Sequence, residues 1–231
     1  MKLSVSTNIH DYKRTLKRAQ RKQLPFAYML ALNSTAFQAM KATRKSMRES
    51  FSKPIAPYLV KGIVYQKAKK DKDINRMFAR VDLEDFGDKG QPRKSLMKPH
   101  IEGGTRRQKK AEHLMLGPGR YFYPGRSAPR DRYGNLKASQ IVKAISDVGR
   151  NTDAAQNTKR KKKKYFAINT RKQKTIIMQR NGNSVTPFMV EGRKPTYKKR
   201  FMFYEVIEKT VNKNFRRNMD RAMRQAMKTS K

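Results

Sequence analysis

The sequence predicts an α+β fold, in which a kinked N-terminal helix and a long C-terminal helix pack on a small antiparallel sheet and a Gly/Pro-rich arm extends outward. Three observations carry this. Apolar residues recur at helical spacing near both ends of the chain, and short stretches between them alternate or are rich in β-branched and aromatic residues. Gly87 to Gly134 then holds 8 of the 12 glycines and 5 of the 10 prolines, a density that breaks regular structure.

Residues 10–51 read as helix. Leu16, Ala19, Gln23, Phe26, Leu30, Asn33, Phe37, Met40, Arg44, Met47 and Phe51 follow spacings of three and four and define one stripe. Pro25 interrupts it, which predicts a kink, or a short helix ending near Gln23 and a second starting at Leu24 or Pro25. Lys53-Pro54 and Ala56-Pro57 end the helix. Tyr58 to Ala68 and Asn75 to Leu83 read as two strands, with Lys69 to Asp73 as their turn. The arm from Gly87 to Gly134 contains a short helix within Arg106 to Leu116, and its segment 118–132 is expected to be removable without loss of the fold. Ala138 to Val148 reads as a helix and Gly149 to Thr158 as a polar linker. Tyr165 to Asn169 and Thr175 to Gln179 form a hairpin, and Val185 to Val190 adds an edge strand with Pro187 at its margin. Phe203, Ile207, Val211, Phe215, Met219, Met223 and Met227 recur every four residues with Val206, Ala222 and Ala226 alongside, which predicts a long amphipathic helix. The expected organisation is residues 1–86, the arm 87–134, and residues 135–231, the last joining the first in one core.

Composition narrows the function. Among 231 residues, 57 Lys and Arg face 17 Asp and Glu, for a formal net charge of +40. Charge of one sign on this scale favours association with a polyanion. Low hydropathy with high charge also marks disorder, yet 36% of the residues are hydrophobic, with 11 Phe, 10 Tyr and 13 Met in periodic segments, enough for a modest core. Without cysteine, neither a disulfide framework nor a thiolate metal site is possible. The longest apolar run, Phe26 to Leu32, falls far short of the ~20 residues of a membrane span, and Met1-Lys2-Leu3-Ser4 does not open a secretion signal.

Catalytic patterns are missing. His10, His100 and His113 are far apart in sequence, and no nucleophile elbow, metalloprotease helix or phosphate-binding loop accompanies them. Gly117-Pro118-Gly119 reads as a turn. Asp82, Glu84, Asp85 and Asp88 form the one dense carboxylate group, read as an acidic patch that meets a basic neighbour or a sister subunit rather than a metal site. No cofactor, no metal and no enzymatic activity are expected.

Basic segments are the strongest chemical signal. Arg106, Arg107, Lys109 and Lys110 form one group, Arg160, Lys161, Lys162, Lys163 and Lys164 a second, and Lys198, Lys199 and Arg200 a third. Cations at this density neutralise phosphates and release counterions, so these residues are expected to bind nucleic acid without sequence preference. Arg120, Tyr121, Phe122 and Tyr123, with Arg126, Arg130, Arg132 and Tyr133, mix aromatics with guanidinium groups and read as a subunit interface.

Arg21-Lys22-Gln23-Leu24-Pro25-Phe26-Ala27, continuing through Ala31-Leu32-Asn33-Ser34-Thr35-Ala36, resembles the opening helix of the minor tail protein Z family of tailed phages. Phe51-Ser52-Lys53-Pro54 and Ile101-Glu102-Gly103-Gly104-Thr105-Arg106 are similar to later landmarks of that family. The resemblance covers roughly the first half of the chain; the second half matches in its layout of hairpin and long helix. It implies a tail-completion protein of the virion, assembled in the host cytoplasm, at the head–tail joint among other neck and tail proteins and close to double-stranded DNA. A joint protein must match cyclic symmetry, so a homo-oligomeric, hexameric ring is expected. The alternative is a general basic RNA- or DNA-binding protein outside any virion.

Overall fold

The computed structural model describes residues 2–5, 18–85, 92–159 and 162–228, with side chains from Lys22 onward. In chain order the elements are β1 (Lys2–Val5), α1 (Arg18–Glu49), α2 (Pro57–Lys61), β2 (Ile63–Gln66), a 3-10 turn (Ile74–Arg76), β3 (Ala79–Leu83), α3 (Arg93–Glu102), β4 (Gly104–Thr105), α4 (Lys110–Leu116), β5 (Tyr121–Pro124), α5 (Ala138–Val148), a second 3-10 turn (Ala154–Gln156), β6 (Tyr165–Asn169), β7 (Thr175–Asn181), β8 (Ser184–Gly192), β9 (Thr196–Tyr197) and α6 (Phe203–Lys228). The architecture is α+β. Two compact units divide the chain, Met1–Glu102 with Lys199–Lys231, and Gly103–Lys198. This differs from the expected division at 86 and 134, because the second unit starts inside the presumed arm and only residues 199–231 of the C-terminal third join the N-terminal unit.

In the first unit, α1 is built mainly from Ala, Leu, Met, Gln, Glu, Lys and Arg, which lose little on entering a helix; it contains no Gly, Val or Ile. It runs through Pro25, where the ring removes one backbone donor. The predicted stripe proves to be one of two working faces. Asn33 clamps the start of the loop after β2, its Oδ1 accepting from Ala68 N–H at 2.7 Å and its Nδ2 donating to the Ala68 carbonyl at 3.2 Å. Phe37 meets Tyr65 edge-on, and Arg44 Nε donates to the Ile63 carbonyl at 2.9 Å. The second face, outside the predicted stripe, is more deeply buried. Leu24, Ala27, Tyr28, Ala31, Thr35 and Ala39 lie there, with small residues that permit close approach of α6. Tyr28 packs edge-on against Phe215, and buried Asn218 donates from Nδ2 to Thr35 Oγ1 at 2.9 Å and Gln38 Oε1 at 3.1 Å. Along α6 the predicted residues Phe203, Ile207, Val211, Met219 and Met223 are buried, joined by Ala222 and Ala226.

Strand β3 is the centre of a three-stranded antiparallel sheet, β1-β3-β2, with Ala79, Val81 and Leu83 facing the core. The two expected strands pair as predicted but are shorter: Pro57, well placed in the first turn of a helix, starts α2, which takes residues 57–61. Strand β1 was not foreseen.

The second unit is a four-stranded antiparallel sheet, β5-β8-β7-β6, with α4 and α5 supplying Met115, Leu116, Ala144 and Ile145 to a core shared with Phe122, Tyr165, Ile177, Phe188 and Met189. Helix α5 and the β6–β7 hairpin fall where the sequence places them. Two expectations are overturned. Strand β8 is interior rather than an edge, and it tolerates Pro187 because the register slips there: Ile177 faces Met189 while Met178 faces Pro187. The extra residue is Phe188, so that both Phe188 and Met189 turn into the core. The Gly/Pro-rich stretch is also no free arm. From Arg93 onward it forms α3, β4, α4 and β5, and its Tyr121, Phe122 and Ala128 are buried, so removing 118–132 would remove a strand. The linker after α5 is tied down as well: Thr158 donates from Oγ1 to Asp147 Oδ1 at 2.6 Å and from its N–H to the Ser146 carbonyl at 3.0 Å.

Gly125 follows β5 where it crosses the bulge. Its N–H donates to the Phe188 carbonyl at 2.8 Å, and a Cβ there would sit 2.0 Å from the Pro187 carbonyl oxygen. Gly125→Ala should therefore cost about 1–3 kcal/mol through overpacking against backbone that cannot retreat. A fall in the urea midpoint at which amides of residues 103–198 lose exchange protection, with residues 24–47 unaffected, is the expected result.

Candidate nucleic-acid interface

The first basic group is split by its surroundings. Arg106 does not face solvent; it makes a two-pronged pair with Glu112, with Nη1 donating to Oε2 at 2.7 Å and Nη2 to Oε1. Glu112 is only 3% exposed and also accepts the N–H of Lys109 at 2.7 Å and of Phe122 at 3.1 Å. One carboxylate thereby caps the start of α4, anchors β5 and neutralises Arg106, whose guanidinium lies 5.1 Å over the Tyr121 ring. Burial works against the charged form of Glu112, but hydrogen bonds from Arg106, Lys109 and Phe122 outweigh it and hold the carboxyl below its ordinary range. Arg107, Lys109 and Lys110 are exposed. Arg106 is therefore removed from the expected phosphate ligands, and its three neighbours keep that geometry.

The second group leads into β6. Arg160 and Lys161 lie outside the described residues; Lys162 and Lys164 are exposed and Lys163 is half-buried. Lys164 stands opposite Arg180, whose N–H donates to the Lys164 carbonyl at 2.8 Å and whose guanidinium covers Phe166 at 4.4 Å. The hairpin turn at the other end carries Arg171, Lys172 and Lys174, all exposed, where Gln173 adopts a left-handed φ of 55°. These three were missed because Gln173 breaks them out of a run; the signal was their position in a hairpin turn.

The third group falls across the unit boundary. Lys198 follows β9, which pairs antiparallel with β4, and is exposed. In the first unit Lys199 pairs with Glu205 and Arg200 donates its N–H to the His100 carbonyl at 2.8 Å.

Of the expected interface residues, Tyr121 and Phe122 serve their own core and cannot be offered to a neighbour. Arg120 is an internal tie: its Nε donates to Glu191 Oε1 at 2.7 Å and its Nη1 to the Leu116 carbonyl at 3.1 Å, and Glu191 accepts the Thr175 N–H at 2.8 Å. The Arg120 hydrogen bonds hold the Glu191 carboxyl below its ordinary range. Arg126, Arg130 and Arg132 are exposed, with Arg132 4.8 Å over the Tyr133 ring. Tyr123 is 42% exposed while its hydroxyl donates to the Arg193 carbonyl at 3.0 Å.

The acidic group is engaged by a base. Asp82 pairs with Lys94 at 3.7 Å, and Asp85 Oδ1 accepts the Lys94 N–H at 3.1 Å; Asp88 lies outside the described residues. Among the described residues no three His, Cys, Asp or Glu side chains converge as a metal site would need, and no helix is long and apolar enough to cross a membrane. The Gly117–Gly119 turn is held by Gln108, whose Nε2 donates to the Gly117 and Arg120 carbonyls. No family model, curated protein or solved structure matches the chain.

Because the folded Glu112 carboxyl titrates below its unfolded value of about 4.3, its contribution is present above that pH and lost as pH falls through the folded value. Amide protection at Lys109 and Phe122 should drop below about pH 4. In Glu112→Ala, which leaves Arg106 buried without a counter-charge, protection should be reduced at pH 7 by about 3–5 kcal/mol and vary little with acid. Retention of the acid-dependent drop in the variant would show that another carboxylate holds this corner.

Proposed function

We propose that this chain is a structural, non-catalytic protein of a tailed-phage virion, which completes the tail at the head–tail joint and contacts double-stranded DNA without reading its sequence. The observation that carries the DNA contact is the charge of +40, together with the cations that are exposed among the described residues. Arg107, Lys109, Lys110, Lys162, Lys164 and Lys198 lie on the unit that also presents Arg171, Lys172 and Lys174. Such a surface gains affinity from released counterions and requires no base contacts. The virion setting is supported by the resemblance of residues 21–36, 51–54 and 101–106 to the minor tail protein Z family.

A joint protein encircling DNA would work as a ring, with six copies the number that suits a tail axis. Repulsion between +40 subunits opposes such a ring in free solution, so assembly belongs where DNA or an acidic neighbour screens the charge. Tyr123, Arg126 and Arg132 are the exposed residues best suited to a subunit contact.

Two measurements test this reading. Binding to a random-sequence duplex should weaken steeply between about 50 and 200 mM salt, and changing Lys162, Lys163 and Lys164 to Ser should reduce the slope of log affinity against log salt by up to about 3. Mass spectrometry of purified particles should find the chain as a stoichiometric component. Absence from particles with DNA or RNA binding intact would favour a nucleic-acid-binding protein outside the virion.

A further inference from the structure

The loop between β2 and β3 holds a second concentration of positive charge, in a different unit from most of the basic groups above. Lys67, Lys69, Lys70, Lys72 and Arg76 fall within ten residues and all are exposed. Only Asp71 and Asp73 oppose them, and both carboxylates shape the loop: Asp71 Oδ1 accepts the Asp73 N–H at 2.9 Å, Asp73 Oδ1 accepts the Asn75 N–H at 3.0 Å, and Asp73 pairs with Arg76 at 3.5 Å. Among the described residues the four lysines make no ion pair.

Like charges this close would splay an unsupported loop, yet this one is pinned at both ends. Ala68 is buried and bonded through both its N–H and its carbonyl to Asn33 of α1. Met77 is buried, and its Sδ accepts the Asp71 N–H at 3.3 Å. Between the arms lies an open depression of about 290 Å³, lined by Lys67, Lys69, Lys70, Asp71, Arg76 and Phe78. Phe78 is 46% exposed, with the Arg80 guanidinium 5.3 Å from its ring. Four cations, one carboxylate and an aromatic wall thus surround a hollow of nucleotide size, ordered in advance of any ligand.

We infer that this loop is a preformed binding site for the sugar–phosphate backbone of DNA, with Lys67, Lys69, Lys70 and Arg76 as phosphate ligands and Phe78 as the apolar wall beside the sugar. The inference rests on the proposed DNA contact and gives it a named surface in the first unit. Fixing the cations beforehand spares the entropy of gathering them on binding, which favours affinity over a mobile lysine tail.

The test compares three full-length proteins by fluorescence anisotropy with a 30-base-pair duplex at 50–200 mM salt: wild type, Lys67→Gln/Lys69→Gln/Lys70→Gln/Arg76→Gln, and a charge-matched control, Lys45→Gln/Lys98→Gln/Lys209→Gln/Lys213→Gln, whose four lysines are exposed on helices. All eight positions are solvent-facing, so each variant should fold, as circular dichroism can verify. The expected result is a loss of between about tenfold and a thousandfold for the loop variant beyond that of the control at 100 mM salt, with a shallower salt slope. Equal losses in the two variants would overturn the loop site and leave general DNA binding standing. Failure of wild type to bind the duplex would overturn both.

Discussion

Seventeen carboxylates have to organise a chain that carries fifty-seven cations. At such a ratio a carboxylate on the surface does little to relieve repulsion, whereas one placed inside can hold several donors at once. Glu112 receives a guanidinium and two backbone N–H groups, Glu191 a guanidinium and one, and Asp147 the Thr158 hydroxyl and the Tyr165 N–H at 3.0 Å. Each joins segments that neither hydrophobic pattern nor turn chemistry would bring together. These three points tie the second unit together, and most of its other described cations are left facing water.

The same constraint explains the interior of the first unit. With few acids for cross-linking, helix pairing relies on close approach of small residues and on one neutral polar group, Asn218, bonded to Thr35 and Gln38. A polar side chain at that depth favours one alignment of two long helices over its neighbours, since any slip of register leaves its amide unpaired.

The elements legible in the sequence were those whose pattern has a single cause. Helix α6 packs on one side, so its period of four appeared directly; α5 and the β6–β7 hairpin were bounded by Gly149 and by polar turns. Helix α1 was legible as a helix, but only part of its buried surface was read, because Asn33, Phe37 and Arg44 of the stripe meet the β2 side while the face toward α6 sets Ala27, Ala31, Thr35 and Ala39, which carry little hydropathy, among Leu24 and Tyr28. Pro187 pointed to an edge strand, and only pairing across three strands makes room for it as a bulge. At the site, charge identified the basic groups but not which members are neutralised: Arg106 and Arg107 are adjacent in sequence, yet a carboxylate six residues on claims one and leaves the other free.

The short ribbon of β4 and β9 places Gly104 directly opposite Tyr197. Residues 103–198 therefore leave and re-enter the first unit through neighbouring strands, whose partnered Cα atoms lie about 5 Å apart. For His100 and Arg200 of the first unit to meet, the chain must close a loop of roughly a hundred residues while the second unit is unfolded, but only a few effective residues once it has folded. By the logarithmic cost of loop closure that difference is about 3 kcal/mol. Once folded, the inserted unit thus acts as a clasp that holds the two ends of its host within reach of one another. Homologous chains in which it is shortened to a tight turn would keep the helix pair intact.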